Sequence, residues 1–464
     1  MTVNDYRRGF IFCHRHHRFS RADNLSGWNR IVTPGYKLFV HPDADVRQAR
    51  YRSGRTVIVV GDVFVAHGGG DLDGLMGLLA DGDYESLDLL SGRFAAFVID
   101  GDDARVVHDP LGSQSTFYRL GPRSVVASHA SLLAECESLE RSPELVGYMA
   151  TPEYRNRSTR FLPGDLTLYD EIVHLVPNNE LDVRTGQTRR YWPRRPNESQ
   201  DFNGLLAVWD EYFLSYKSFL DAHYYPVIGL TGGLDSRSVI ATLASHGTDA
   251  RYVTWDRMGE EEAARIPRLA AHLAGRHDWI RLSEKPNDPD LDSVRNSAQR
   301  ATGYTRGRPL LPAQMAVGAG DADVFLKGLG GEVMRGPFNT RLKSYLPKEV
   351  DKLAYALFAG PARHDASRKF ARTTTNAIRQ YLERGNYSAD LHGADVGDLI
   401  YWEQRMGTWT SVQHAELVTT MNSHSAMNSR KMFEAAWGLS DSERFGDQLL
   451  MRIMSKYDPV LAAL

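Results

Sequence analysis

The residues best suited to chemistry lie in one ordered run. The apolar stretch Val227-Ile228-Gly229-Leu230 opens into Thr231-Gly232-Gly233-Leu234-Asp235-Ser236-Arg237, and Val239–Leu243 then reads as helix. Adjacent glycines let a backbone approach an anion closely. The helix that follows presents unsatisfied N–H groups and a positive dipole end. Thr231 and Ser236 add hydroxyl donors. Asp235 would repel an anion unless a cation sits between them, and as a Mg²⁺ ligand it would bridge to phosphate oxygens. Leu230, Thr231, Gly232, Gly233, Asp235 and Ser236 are therefore candidate nucleotide contacts. A plain strand–turn–helix connection also tolerates Gly-Gly, but six ordered positions after a strand favour a phosphate cradle. The spacing is neither a Walker A loop nor G-x-G-x-x-G.

A second run, Asp323–Gly336 (DVFLKGLGGEVMRG), is again a strand ending in glycines, followed by the carboxylate Glu332. Glu403, in Tyr401-Trp402-Glu403-Gln404-Arg405, reads as a helical residue with two possible roles: a general base for an amine, or an interior partner for an arginine. Asn428-Ser429-Arg430-Lys431 precedes an amphipathic helix over 432–439. Arg430, Lys431 and Lys456 are candidate catalytic cations.

The elements that must position these residues fall into two parts. Up to about residue 195 the chain is β-rich: Arg55–Val65, Gly92–Asp100 and Ala104–His108 predict strands, and Gly101-Asp102-Asp103 and Thr185-Gly186 predict hairpin turns. Pro193–Gln200 (PRRPNESQ) predicts a linker. Beyond it come a helix over Phe202–His223, strands at Tyr225–Leu230 and Arg251–Trp255, and an acidic-started amphipathic helix over Glu260–Leu273. Alternating strands and helices predict a parallel sheet. A formal charge of -3 argues against a general polyanion binder. The two cysteines, Cys13 and Cys136, make neither a disulfide framework nor a Cys-x-x-Cys site and point to a reducing, cytoplasmic setting. No apolar run is long enough for a membrane span. The cluster at His14, His16 and His17 reads as solvated polar residues rather than a metal site.

The Thr231–Ser236 run resembles the S-G-G-x-D-S PP-loop of asparagine-synthetase-like ATP pyrophosphatases, with Thr231 in place of the first serine. The resemblance continues in order. Val253 falls where relatives contact adenine through the backbone, and Glu262 and His277 match an acidic residue and a histidine of the family. The 323–336 run resembles the second loop, G-E-G-G-D-E, which places Gly328 at the nucleotide and gives Glu332 the role of sharing Mg²⁺ with Asp235. Relatives carry Glu or Tyr where this chain has Leu329, so the substrate half of the site has changed. Arg430 matches a late arginine of the family. Upstream, Gly61-Asp62-Val63-Phe64, Ser91-Gly92-Arg93-Phe94-Ala95, Asp109-Pro110-Leu111-Gly112 and Arg190-Tyr191-Trp192 resemble class II glutamine amidotransferases.

The implied fold is an α+β N-terminal amidotransferase-like (Ntn-type) β-sandwich domain over 1–195, then an α/β parallel-sheet PP-loop synthetase domain over 196–464. An active glutaminase of that type needs an N-terminal cysteine whose own amine is the base. Cys13 is internal and Thr2 lies outside the matching strand, so no glutaminase activity is expected. The resemblance implies ATP and Mg²⁺ as cofactors. It also implies adenylation of a small-molecule or peptide carboxylate, and attack by an amine of the same or another molecule, as in β-lactam synthetases and lasso-peptide cyclases. No nucleic-acid or membrane partner is expected. The rival reading is an ATP-site relic that binds or regulates another biosynthetic enzyme.

Overall fold

The computed structural model describes residues 5–157, 159–255, 259–273, 277–280, 289–306, 323–337 and 345–464. Two six-stranded antiparallel sheets draw their strands from the first 190 residues. One contains Phe10–His14 and Tyr36–Val40, and the other is built on the long pair Thr56–Val65 and Leu90–Asp100. Alternating residues of both sheets, among them Phe10, Phe12, Leu38, Ile58, Val60 and Phe97, meet in a shared apolar layer. This is the geometry expected of a sandwich. The expected hairpin turns are present: Asp100 pairs with Asp103 across Gly101-Asp102, and Gly186 N–H donates to the Asp182 carbonyl.

The helix Phe202–His223 joins the two halves. Asp201 caps its start by accepting from Gly204 N–H at 2.7 Å. Leu205, Trp209, Tyr212, Phe213, Tyr216 and Leu220 recur at helical spacing and are all buried. Toward the sandwich, Phe64 stacks on Tyr216 and Phe219 at 5.3 and 5.0 Å. Toward the other half, Trp209 Nε1 donates to Thr242 Oγ1 at 3.1 Å. Aromatic side chains of this size each contribute about 1.5–3 kcal/mol when fully buried, so the helix binds the two halves into one core.

The second half holds a five-stranded, wholly parallel sheet in the order His277–Ile280, Arg251–Trp255, Tyr225–Gly229, Asp323–Lys327, Asn422–Ser425. The chain enters at the central strand Tyr225–Gly229, winds outward to one side, and returns on the other. The connections therefore diverge between Tyr225–Gly229 and Asp323–Lys327, and a ligand crevice is expected beyond the carboxyl ends of those two strands. Both glycine loops start there. The strand Asn422–Ser425 is polar yet fully buried. The His414 ring satisfies it through Ser423 and Ser425 at 2.8 and 2.9 Å, and Asp62 of the sandwich bonds Asn422 and His424 at 2.6 and 2.7 Å. Among the described residues, no helix is long and apolar enough to cross a membrane.

Candidate functional site

The first loop leads from Gly229 into the helix Leu234–Ser245, which no side chain caps among the described residues. Thr231 Oγ1 and Ser236 Oγ lie 2.7 Å apart, and Gly233 N–H donates to Thr231 Oγ1 at 3.2 Å. Gly232 N–H donates to Glu262 Oε1 at 2.9 Å. A carboxylate thus already rests on one loop amide, which is the interaction an anionic ligand would make. Leu230 is tied into the sheet: its N–H donates to the Val253 carbonyl and its carbonyl accepts from Thr254 Oγ1, both at 2.8 Å. Thr254 Oγ1 also meets His277 Nε2 at 2.9 Å. Leu230, Val253 and His277 therefore converge at one end of the sheet.

The second loop packs onto the first, and its glycines are what permit this. A Cβ at Gly328 would lie 2.6 Å from Ser236 N, and one at Gly331 would lie 1.9 Å from Asp235 Oδ1. Gly330 adopts φ +111°, and a Cβ there would meet the Met427 carbonyl at 2.1 Å. Asp235 and Glu332 are brought together as a result. Asp235 Oδ2 accepts from Arg335 Nη2 at 3.2 Å. Among the described residues, Asp235 Oδ1 and Glu332 Oε2 are buried with no hydrogen-bond partner. Burial first, and Glu332 second, push the Asp235 carboxyl up to about 7 against the pull of Arg335. Two orphaned carboxylate oxygens beside phosphate-type donors fit a Mg²⁺ ion that completes its shell with phosphate and water oxygens. Among the described residues, no group of three or more His, Cys, Asp or Glu could hold a metal. The chain's share of a cation site here would be these two carboxylates.

The other predicted side chains lie elsewhere. Arg430 is fully buried at the seam between the halves, held by Asp88 (3.1 Å), Asn178 (3.2 Å) and the Tyr191 hydroxyl (3.1 Å). It anchors the two domains instead of facing the carboxylates. Glu403 is 0% exposed and grips Arg190 through both oxygens at 2.6 and 2.8 Å. Of its two expected roles, the structure displays the interior ion pair. Lys431 lines a cavity of about 570 Å³ along the linker, with Arg194, Glu434 and Trp437, away from Asp235. Lys456 is exposed on the helix Gln448–Tyr457. Leu329 packs against the core. Cys13 is buried in its strand, and burial pushes its thiol up to about 12. Thr2 lies outside the described residues. His17 pairs with Glu137 at 2.7 Å.

Several site residues were not singled out from sequence. A cavity of about 370 Å³ opens beside Glu332 and Arg335, lined also by Arg157, Tyr401, Gln404 and Arg405. Residues Tyr401–Thr410 wind in wider π-type turns, a form that often marks functional positions. From Tyr401 to Val418, only Tyr401, Arg405, Trp409 and Gln413 are not fully buried. Their four-residue spacing was the available signal. Lys327 ends the strand that precedes Gly328. Its Nζ donates to Gln413 Oε1 at 2.5 Å, and burial, helped by nearby Arg306, lowers its ammonium to about 7. A lysine directly before the glycine loop was its only sequence trace.

No family model and no curated protein matches the chain. Among solved structures, it is similar to the glutamine phosphoribosylpyrophosphate amidotransferase of B. subtilis complexed with ADP and GMP (11% identity, TM-score 0.24, 72% of each chain covered). It is likewise similar to an allosteric regulatory enzyme of purine biosynthesis (10% identity, TM-score 0.25, 71% of each chain). Likenesses at these scores carry no argument about activity, which has to be read from the geometry of the chain itself.

Proposed function

We propose that this protein is an ATP-dependent, AMP-forming ligase that adenylates a substrate carboxylate, releases pyrophosphate and joins the acyl group to an amine. The observation that carries this reading is the pair of orphaned oxygens on Asp235 and Glu332, set where two glycine loops meet at the divergence point of a parallel sheet. The amides and hydroxyls of Thr231–Ser236 would bind and orient the phosphates. Asp235 and Glu332 would hold Mg²⁺, which when bound neutralises charge on the departing pyrophosphate. The carboxylate substrate would enter the cavity beside Glu332 and Tyr401. Lys327 Nζ, with its affinity for protons lowered, is suited to accept one from the attacking amine. The buried Cys13 thiol offers no glutaminase nucleophile, which favours an amine carried by the substrate itself and a lactam or macrolactam product in natural-product biosynthesis.

Pyrophosphate release from Mg·ATP with a panel of amino-carboxylates, read beside ¹⁸O transfer from carboxylate to AMP, tests this. Labelled AMP is the expected result. ATP hydrolysis to ADP, or cleavage without label transfer, would refute it. A second reading, an ATP-site relic that partners another enzyme, is favoured by one feature: Arg335 on Asp235 and Glu262 on the Gly232 amide already fill part of the site. Under that reading Mg·ATP would bind with no pyrophosphate formed from any candidate.

A further inference from the structure

Beyond the carboxylates, the cleft wall changes sign. A second cavity, about 230 Å³, is lined by Arg157, Arg160, Arg306 and Trp409. Arg157 also lines the cavity beside Glu332, so the two adjoin. Arg405 reaches the same region, donating to Thr159 Oγ1 at 3.2 Å. Among the described residues, only Arg306 of these four arginines has a carboxylate partner, Glu416. Arg157 donates to the carbonyls of Phe358 and Thr159, and Arg160 to the carbonyl of Arg155. Aromatic rings flank two of the guanidinium groups: Arg157 Cζ lies 4.1 Å from the Phe358 ring centroid, and Arg405 Cζ lies 4.5 Å from that of Trp409. Each guanidinium has five N–H donors, so those beyond the bonds to Thr159 and Phe358 are available to an oxyanion.

Orphans of both kinds, acceptors and donors, occur in the cleft, and Arg335 Nε is a donor orphan beside Asp235. Around Asp235 and Glu332 the orphans include two acceptors, which a cation would satisfy. Along the wall they are donors: Gln404 Nε2, Arg405 Nε and Gln413 Nε2 are all buried without partners among the described residues. Buried donors left unmade are costly, and so is gathering like charges with a single counter-ion. An anionic group in the cavity would offset both costs.

We infer that the substrate carries a second oxyanion, a carboxylate or a phosphate, in addition to the carboxyl that is activated, and that Arg157, Arg160, Arg306 and Arg405 hold it. The inference rests on the ligase reading for the word substrate, while the anion site itself rests on the arginines. It defines a substrate class: a dianionic amino acid, or a phosphorylated amino-carboxylate, bound with one anionic end at Glu332 and its cation, the other at the arginines.

The test is calorimetric titration of the full chain with inorganic phosphate, succinate and Mg·ATP separately, at fixed ionic strength. It is repeated on Arg160→Gln, whose residue is exposed and makes one backbone bond among the described residues, and on Arg157→Gln. Arg157→Lys replaces the latter if it fails to fold. Phosphate or succinate should bind the wild type, and each neutral variant should weaken that binding roughly tenfold, about the loss of one charge-assisted contact. Mg·ATP binding should stay within about twofold, well under one such contact. The tighter of the two anions assigns the group as phosphate or carboxylate. Neither probe binding the wild type, or binding undiminished in both variants, overturns the inference. So does a parallel loss of Mg·ATP affinity, which would give the arginines to the nucleotide. If Mg·ATP fails to bind the wild type while an arginine-dependent anion does, the ligase reading falls and the anion site stands.

Discussion

Buried charge is handled in opposite ways at the seam between the halves and in the cleft. At the seam, charges meet opposite charges: Arg430 with Asp88, Arg190 with Glu403, and His424 with Asp62. In the cleft, Asp235 pairs with Arg335, yet Asp235 and Glu332 each keep an orphaned oxygen, and Arg157 and Arg405 have no acid partner among the described residues. At the seam every one of these charges has an opposite partner, and the orphans left there are guanidinium Nε atoms such as that of Arg430; in the cleft the orphans include two carboxylate oxygens, which a bound cation would satisfy. This distinction also explains why Arg430 and Glu403, chemically capable of catalysis, serve structure.

The comparison breaks most sharply at the seam. Glu403→Gln leaves Arg190 enclosed with no full counter-charge and should cost about 3–5 kcal/mol in urea unfolding, the range for breaking a buried pair by removing one partner. A loss under about 1 kcal/mol, typical of exposed pairs, would remove the contrast. In the cleft, Asp235→Asn or Glu332→Gln should lower pyrophosphate release by about 10²–10³-fold, comparable to loss of a transition-state contact, with the fold unchanged by circular dichroism. Full activity in both variants would remove the cation site.

The cleft should also leave a signature in the pH dependence of stability. Asp235 has a folded pKa of about 7, above its value in the unfolded chain. Between about pH 4 and 7 the folded state therefore holds a proton that the unfolded chain has lost, and stability falls as pH rises through that window. Lys327 is lowered to about 7. From there toward its ordinary value near 10.4 the unfolded chain holds the extra proton, and stability rises with pH. In Mg²⁺-free buffer these two groups thus contribute a minimum near neutrality, on the order of 4 kcal/mol deep. Asp235→Asn should erase the acid-side fall and Lys327→Met the alkaline-side rise, both followed by unfolding midpoints at fixed ionic strength. The smallest effect belongs to Lys456→Ala: this exposed residue should shift stability by no more than about 0.5 kcal/mol and leave pyrophosphate release unchanged.

Much of the cleft's carboxylate end was legible in sequence because it is local. A strand, a glycine turn, a carboxylate and a helix start are contiguous at 227–243 and again at 323–335, and period and turn chemistry are short-range signals. The helix Phe202–His223 and the strand Arg251–Trp255 were readable for the same reason. The strand Asn422–Ser425 was not. Its residues are all polar, and its burial depends on His414 and Asp62, distant partners that no pattern within Asn-Ser-His-Ser announces. The arginine wall was equally hidden, because Arg157, Arg160, Arg306 and Arg405 come from three separated segments.

By itself the sequence determined where backbone can approach an anion and which carboxylates stand beside those turns, since both follow from residue type and spacing along a few contiguous positions. Only the tertiary structure decided which charges are satisfied. Whether an arginine or glutamate is an anchor or a ligand-facing group depends on what the rest of the chain brings within about 3 Å of it, the reach of a hydrogen bond, and that proximity is fixed by packing between halves far apart in sequence.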